Sequence, residues 1–283
     1  MLNYHEHRPA PALRDLIECL WLVEDPHRRK VRTPDRIVPD ACPELIVHLA
    51  DPFRRRIGRR WQRQPRAFLA GTLSRPWFVR AGARVRTLGI RFRPGAVTTL
   101  IPVEMGRATD REIVLADLIG PRHARDLVRR LRMSSGSTDW IPAVERWLLS
   151  LPRRRRPATE TVTRPVVRTI LRTRGRARID VLTNRLGVHP RRVERAFARD
   201  LGIAPKFFAR IVRLNAALAA LPRTDRSRGV DWALEAGYFD QAHLARDFRT
   251  VAGRRARAPR EADGELARHF TSSERLLAYL AGK

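Results

Sequence analysis

Two sets of side chains carry chemistry that their spacing could put to use. Arg191, Arg192, Glu194, Arg195 and Arg199 share one side of a helical wheel, while Val193, Ala196, Phe197 and Leu201 share the other. Arginine can make two hydrogen bonds to guanine O6 and N7, and glutamate can accept one from cytosine N4. The same residues also suit a solvated helix face with an intrahelical Glu–Arg pair. Gln241, Ala242, His243, Arg246 and Arg249 repeat the arrangement, opposite a stripe of Leu244, Phe248 and Val251. The second set is Glu44 and His48, four apart, with Cys42 nearby. On a strand such a pair shares a face without converging, and no further histidine follows at metal-ligand spacing. A structural Glu and a core-edge His are therefore expected, with no metal. His5 and His7 read as surface residues. No glycine-rich phosphate loop, G-x-S-x-G elbow or CxxC pair occurs, so no catalytic residue, cofactor or enzymatic activity is expected.

The elements that must hold these side chains are short helices around glycine turns. Residues 179–186 read as a helix, Gly187 permits a left-handed turn, and Pro190 suits the first turn of the next helix because it needs no N–H partner there. Gly202 is placed to end that helix. The pattern recurs downstream, with a helix over 230–236, a turn at Gly237, Asp240 as N-cap, and Gly253 as terminator. Between the two units, residues 204–221 read as one long helix with Phe208, Ile211, Val212 and Leu218 available for packing. Helix-turn-helix units of this kind can lay their second helix in the major groove of DNA.

The stretch from about residue 179 to 259 resembles the DNA-binding domain of the AraC/XylS family of bacterial transcription regulators. The matching pieces are Leu-Gly-Val-His-Pro-Arg-Arg-Val-Glu-Arg-Ala-Phe at 186–197, Leu-Gly-Ile-Ala-Pro at 201–205, Arg-Leu at 213–214, and Ala-Gly-Tyr-Phe-Asp-Gln-Ala-His-Leu-Ala-Arg-Asp-Phe-Arg at 236–249. The resemblance implies seven helices, with two recognition helices entering successive major-groove segments. By position, it implies base contacts from Arg191, Glu194 and Arg195, and from Ala242, His243 and Arg246. Arg192, Arg199, Lys206, Gln241 and Arg249 are the candidates for the DNA backbone, and Arg210 joins Lys206 as a residue that could touch phosphate. Gly187, Pro190, Gly237 and Asp240 are the turn and capping residues. The chain departs from the family pattern in three places. His189 stands where Ser or Thr is usual, so the first recognition helix is expected to start less firmly. Ala256 replaces the usual proline within the basic stretch 254–257, and Ala242 offers no hydrogen bond to a base edge.

The 283 residues carry a formal charge of +29, which suits a polyanionic partner, but the excess is spread almost evenly on either side of Ala158. General arginine enrichment therefore explains much of it, and charge does not single out a DNA-binding half. The front half is β-like: the stretch 37–49, which ends in an apolar, β-compatible run, then 77–80, then 85–92, with Gly58, Gly71, Gly82, Gly89, Pro52, Pro65 and Pro76 expected at turns or bulges. From Arg122 the pattern is helical, with Ala124, Leu127, Val128 and Leu131 on one face. It breaks at 134–138 and resumes at 140–151. Pro152 and Pro157 bracket a run of arginines that reads as a linker, and 161–171 reads as the opening helix of the DNA-binding part. Val38-Pro-Asp with Glu44-Leu-Ile, Phe68-Leu-Ala-Gly71, and Leu88-Gly-Ile-Arg-Phe-Arg-Pro-Gly95 resemble an N-terminal domain of one branch of the same family. That resemblance implies a mostly β effector or interaction domain.

The expected fold is α+β: an N-terminal mostly β domain with flanking helices, and a C-terminal all-α domain of two helix-turn-helix units joined by a long helix. The expected divisions are 1–133, a helix and basic linker at 134–160, the tandem units at 161–260, and a helical tail at 261–283. No apolar run is long enough to span a membrane, no signal peptide is evident, and two cysteines give no disulfide framework, so a cytoplasmic, nucleoid-associated protein is expected. Double-stranded promoter or operator DNA is the expected partner. A small-molecule effector, RNA polymerase and a second copy of the chain are further candidates, with 122–151 as a surface for dimerisation. The expected function is sequence-specific transcription regulation. An architectural DNA-coating protein, or an enzymatic or ligand-binding front domain with secondary DNA binding, is the alternative.

Overall fold

The computed structural model describes residues 2–25, 27, 33–134, 138–152, 160–220, 233–234 and 237–253. Most of the arginine linker, most of the expected helix at 230–236, the stretch 254–257 and the tail 261–283 lie outside these residues. The fold is α+β, with a β-rich N-terminal part and a helical C-terminal part.

Among the described residues, ten strands precede residue 115: β1 (Asn3–His7), β2 (Ile17–Asp25), β3 (Asp35–Ile37), β4 (Glu44–His48), β5 (Arg54–Ile57), β6 (Arg60–Arg63), β7 (Ala67–Ala70), β8 (Trp77–Arg80), β9 (Val85–Phe92) and β10 (Glu112–Val114). They form a six-stranded sheet in the order β1-β2-β9-β4-β7-β10 and a four-stranded sheet in the order β3-β8-β5-β6, with antiparallel pairing. The larger sheet is covered on both faces. Cys19, Trp21 and Val23 pack toward Val79 of the smaller sheet, while Leu20, Leu22, Leu45, Val47, Leu88 and Ile90 pack toward helices. A register shift between Ile17 and Cys19 lets Ile17 join the helix-facing core despite its odd position in the alternation. Gly89 is not at a turn: it sits inside β9, where an added Cβ would lie 2.0 Å from the Trp21 ring, so the glycine makes room for the indole.

Among the described residues this half also holds four α-helices: α1 (Met105–Ala108), which lies between β9 and β10, and then α2 (Leu115–Ile119), α3 (Pro121–Met133) and α4 (Trp140–Ser150). Leu127 and Leu131 of α3 and Trp140, Val144, Trp147 and Leu148 of α4 complete the core behind the six-stranded sheet. The indole N–H of Trp147 donates to the His123 carbonyl at 3.1 Å, which removes the cost of burying it.

The C-terminal half comprises α5 (Glu160–Arg172), α6 (Ile179–Arg185), α7 (Pro190–Asp200), α8 (Pro205–Ala220) and α9 (Gln241–Asp247), which runs into a π turn over Phe248–Ala252. Its core gathers Val166, Ile170, Val193, Phe197, Phe208, Ile211, Leu244 and Phe248. Val38 and Ala41 of the β-rich half belong to this same core. The two halves are also tied by Asn215 Nδ2 donating to the Pro39 carbonyl at 3.1 Å and Thr109 Oγ1 donating to the Gly202 carbonyl at 2.8 Å.

Candidate nucleic-acid interface

Gly187 and Gly237 adopt φ of +61° and +83°, the left-handed backbone that turns α6 into α7 and leads into α9. On α7, Val193, Ala196 and Phe197 are buried, and Arg191, Arg192, Glu194 and Arg195 are exposed. Among the described residues no ion pair engages those four side chains, so the intrahelical Glu–Arg pair weighed from sequence does not form. The helix start is firmer than the missing Ser or Thr suggests. His189 takes the N-cap place, with Nδ1 accepting from the Arg191 N–H at 3.3 Å. Imidazole can act this way when its proton sits on Nε2.

Arg199 is placed differently from its neighbours. Its guanidinium clasps Asp200 through Nε at 2.7 Å and Nη2 at 2.8 Å, and Asp200 also accepts from Thr163 Oγ1 at 2.6 Å. The buried carboxylate thus joins the end of α7 to α5, and Arg199 serves that junction. Lys206 is exposed at the start of α8. Arg210, four residues on, turns inward and pairs with Asp247 at 3.1 Å, away from the phosphate role weighed for it.

In the second unit Asp240 caps α9, its Oδ1 accepting from the His243 N–H at 2.6 Å. Gln241, Ala242, Arg246 and Arg249 are exposed, while His243 is half-buried with its ring edge-on to Tyr238. Asp247, missed in the sequence, is the centre of this unit. It is 1% exposed and receives both Arg210 and Arg213, and Arg213 Nη1 also donates to the Gly175 carbonyl at 3.3 Å. Burial and the nearby Asp247 keep the Tyr238 hydroxyl protonated. The i, i+3 spacing of Arg210 and Arg213 on α8 was visible, but a buried acceptor 34 or more residues away leaves no local mark. Arg176 was missed too: its side chain lies over Gly237, where a Cβ would come within 2.4 Å of Nε.

Glu44 and His48 lie on one face of β4, as their spacing requires, but they serve different partners. Glu44 accepts from Arg91 Nη1 at 2.7 Å. His48 Nε2 meets Gln64 Oε1 at 3.2 Å and Nδ1 meets Thr87 Oγ1 at 2.9 Å. Gln64 donates its amide to Glu112, which leaves its oxygen to accept and puts the histidine proton on Nε2. Burial lowers the His48 pKa to about 4, which keeps the ring neutral near pH 7. The Cys42 thiol donates to Glu18 Oε2, and burial together with that carboxylate pushes its pKa up. Among the described residues no group of three or more His, Cys, Asp and Glu is placed to hold a metal, and no helix is long and apolar enough to cross a membrane.

Comparison with known families bears on both halves. A family model described as a helix-turn-helix domain matches residues 182–262. The C-terminal region carries an AraC-type helix-turn-helix domain. Such a domain is that of a DNA-binding transcription regulator, and the exposed faces of α7 and α9 belong to it. A second model, described as a domain of unknown function (DUF6597), matches residues 5–114, the span of the ten strands. No curated protein matches the chain. Among solved structures, ToxT from Vibrio cholerae is 8% identical, with 83% of this chain and 96% of that chain covered at a TM-score of 0.42. ToxT from Vibrio cholerae O395 bound to (E)-4-(8-methylnaphthalen-1-yl)but-3-enoic acid is 9% identical, with 87% and 97% covered at 0.41. The AraC-like transcriptional activator CuxR is 10% identical, with 77% and 87% covered at 0.23.

Proposed function

We propose that the chain is a sequence-specific transcription regulator in which the AraC-type domain binds promoter DNA and the β-rich half responds to a small-molecule signal. The observation that carries this reading is the exposed, unpaired set Arg191, Arg192, Glu194 and Arg195 on a helix whose opposite face is locked into the core. Arg191, Glu194 and Arg195 contact base edges in one major-groove segment. Arg246 and His243 do so about one turn away, ~34 Å along the duplex. Arg192, Lys206, Gln241 and Arg249 contact the DNA backbone, and Arg199 holds the end of α7 in place. Ala242 offers only apolar contact. The first unit therefore chooses the site and the second mainly holds it. In this scheme residues 1–133 sense, 134–160 connect, and 161–260 bind DNA. RNA polymerase and a second copy of the chain are the protein partners.

The placement of the front-half arginines favours regulation over indiscriminate DNA coating. Arg55 lies over Trp77 at 3.8 Å, Arg56 over Phe78 at 3.9 Å, and Arg80 over Trp61 at 4.4 Å, so these three guanidinium groups are engaged within the β-rich half. Selection from a pool of randomised duplexes tests the assignment. Arg195→Ala should lose about 1–3 kcal/mol of discrimination at one base pair, and Arg246→Ala the same at another. An unchanged selected sequence with both variants would overturn the base-reading roles. Binding that is equally tight to every duplex at fixed salt would overturn the regulator reading itself.

A further inference from the structure

The outer face of the four-stranded sheet gathers positive charge without a carboxylate to offset it. Val79 packs toward the six-stranded sheet and Arg55 pairs with Glu112 on it, so strand alternation turns Phe78, Arg80, Arg54 and Arg56 outward. The register sets these side chains in two rows. In one, Arg36 is opposite Phe78, Arg56 covers that same ring, and Trp61 is opposite Arg56. In the other, Arg54 is directly opposite both Arg80 on β8 and Arg63 on β6. Like charges placed opposite one another weaken a sheet. From residue 52 to 103 the sequence has no Asp or Glu, so β5, β6 and β8 supply no counter-charge of their own. Asp35 of β3 is buried and shares the inner face with Val79. Among the described residues no ion pair or side-chain hydrogen bond engages Arg54, Arg56, Arg63 or Arg80.

The chemistry of this face suits phosphates joined to flat bases. Arg56 stacks on Phe78 and Arg80 on Trp61, which fixes both guanidinium groups through their planes. Stacking leaves the N–H edge of a guanidinium to donate, so part of the ordering cost of gripping a phosphate is met before the phosphate arrives. Indole rings and guanidinium planes also accept stacked bases. An acidic peptide would use the charge but not the planes. Shape separates a duplex from a single strand. Four strands span about 14 Å, and a convex duplex meets such a face along one line with its bases turned inward. A single strand can lie across both rows and present phosphates to one and bases to the other.

We infer that the outer face of the four-stranded sheet is a second nucleic-acid site, one that takes a single strand. Arg54, Arg63 and Arg80 hold its phosphates, and Trp61 and Arg56 stack its bases. The site is separate from the faces of α7 and α9 and does not depend on the regulator reading. The test saturates the full chain with its selected duplex, which occupies α7 and α9, and then titrates labelled oligothymidylate of about 15 nucleotides. Saturable binding that excess duplex does not displace is expected. In Arg54→Gln/Arg63→Gln the affinity for oligothymidylate should fall about tenfold or more. The slope of log affinity against log salt should flatten by about 1.4, because two phosphate contacts are lost. Trp61→Leu should weaken binding several-fold and leave that slope as it is. Both variants should keep the wild-type affinity for the selected duplex. Without nucleic acid the double variant should melt above wild type, since it relieves the like-charge row. Unchanged strand affinity and slope in the double variant would overturn the site. Equal weakening toward duplex and strand would overturn its single-strand character. Polyglutamate or phosphatidylglycerol vesicles held as tightly as oligothymidylate at the same salt would overturn the nucleic-acid assignment, and this wild-type contrast decides even if a variant does not fold. Failure to select any duplex removes the regulator reading alone, and the strand titration is then run on the free chain.

Discussion

Gly187 and Gly202 have nearly the same backbone, φ +61° and +76°, but different surroundings, and the difference isolates the contact between the two halves. A Cβ at 187 meets nothing within 4 Å. Gly187→Ala should therefore cost only the strain of left-handed backbone, about 1 kcal/mol. A Cβ at 202 would lie 2.2 Å from Thr109 Oγ1 and 2.4 Å from the Met105 carbonyl oxygen, both in the β-rich half. Thr109 Oγ1 donates to the carbonyls of Met105 and Gly202, so the methyl group must displace a hydrogen bond as well as α1. Adding about 1–3 kcal/mol for overpacking and about 1 for the hydrogen bond gives roughly 3–5 kcal/mol for Gly202→Ala. Urea titration of both variants at one pH measures this through the shift in midpoint at constant m. A second, earlier transition in Gly202→Ala would report the halves coming apart before either unfolds. Equal losses in the two variants would refute the reasoning, because they would show that α1 does not bear on the end of α7 in solution.

Three further outcomes follow from the buried polar groups and caps. His48 has a folded pKa of about 4 against an ordinary 6.5, so the unfolded chain takes up the proton first as pH falls. Stability should be complete above pH 6.5 and should fall by roughly 3 kcal/mol on the way to pH 4, and His48→Asn should flatten that part of a denaturation-versus-pH profile. Asp247→Ala leaves Arg210 and Arg213 without their buried acceptor and should cost about 2–4 kcal/mol by chemical denaturation. The same variant should weaken DNA binding while keeping the base preferences of the first unit. His189→Ala should lose about 0.5–1 kcal/mol in thermal unfolding and His189→Ser should restore it, since either side chain can accept the Arg191 N–H. An unaffected His189→Ala would show that the cap at 3.3 Å contributes nothing.

The helices that carry the interface were legible because an amphipathic helix records its buried face within one short stretch. Val193, Ala196 and Phe197 mark α7 in this way, and Pro190, Asp240 and the glycines at 187, 202, 237 and 253 mark its ends and those of its neighbours. The strands were less legible, for two physical reasons. β2 is buried on both faces, by the second sheet and by helices, so its residues show no alternation of apolar and polar. β5 is rich in arginine, and the guanidinium groups of Arg55 and Arg56 cover aromatic rings, while β6 presents Trp61 to Arg80 between two further arginines, which disguises both strands as loops. Gly89 misled for a related reason: its role is set by Trp21 on another strand.

The amino-acid sequence alone determined which side chains could read DNA and where the helices bearing them begin and end, since periodicity and capping act over a few neighbouring residues. The tertiary structure alone decided which of those side chains stay free: Arg195 remains exposed, while Arg199 and Arg210 are claimed by the buried Asp200 and Asp247. It also decided that alternate residues of segment 37–42 face a cavity on one side and the DNA-binding core on the other. Such pairings depend on the low dielectric and close packing of an assembled interior, which brings together groups far apart in the chain.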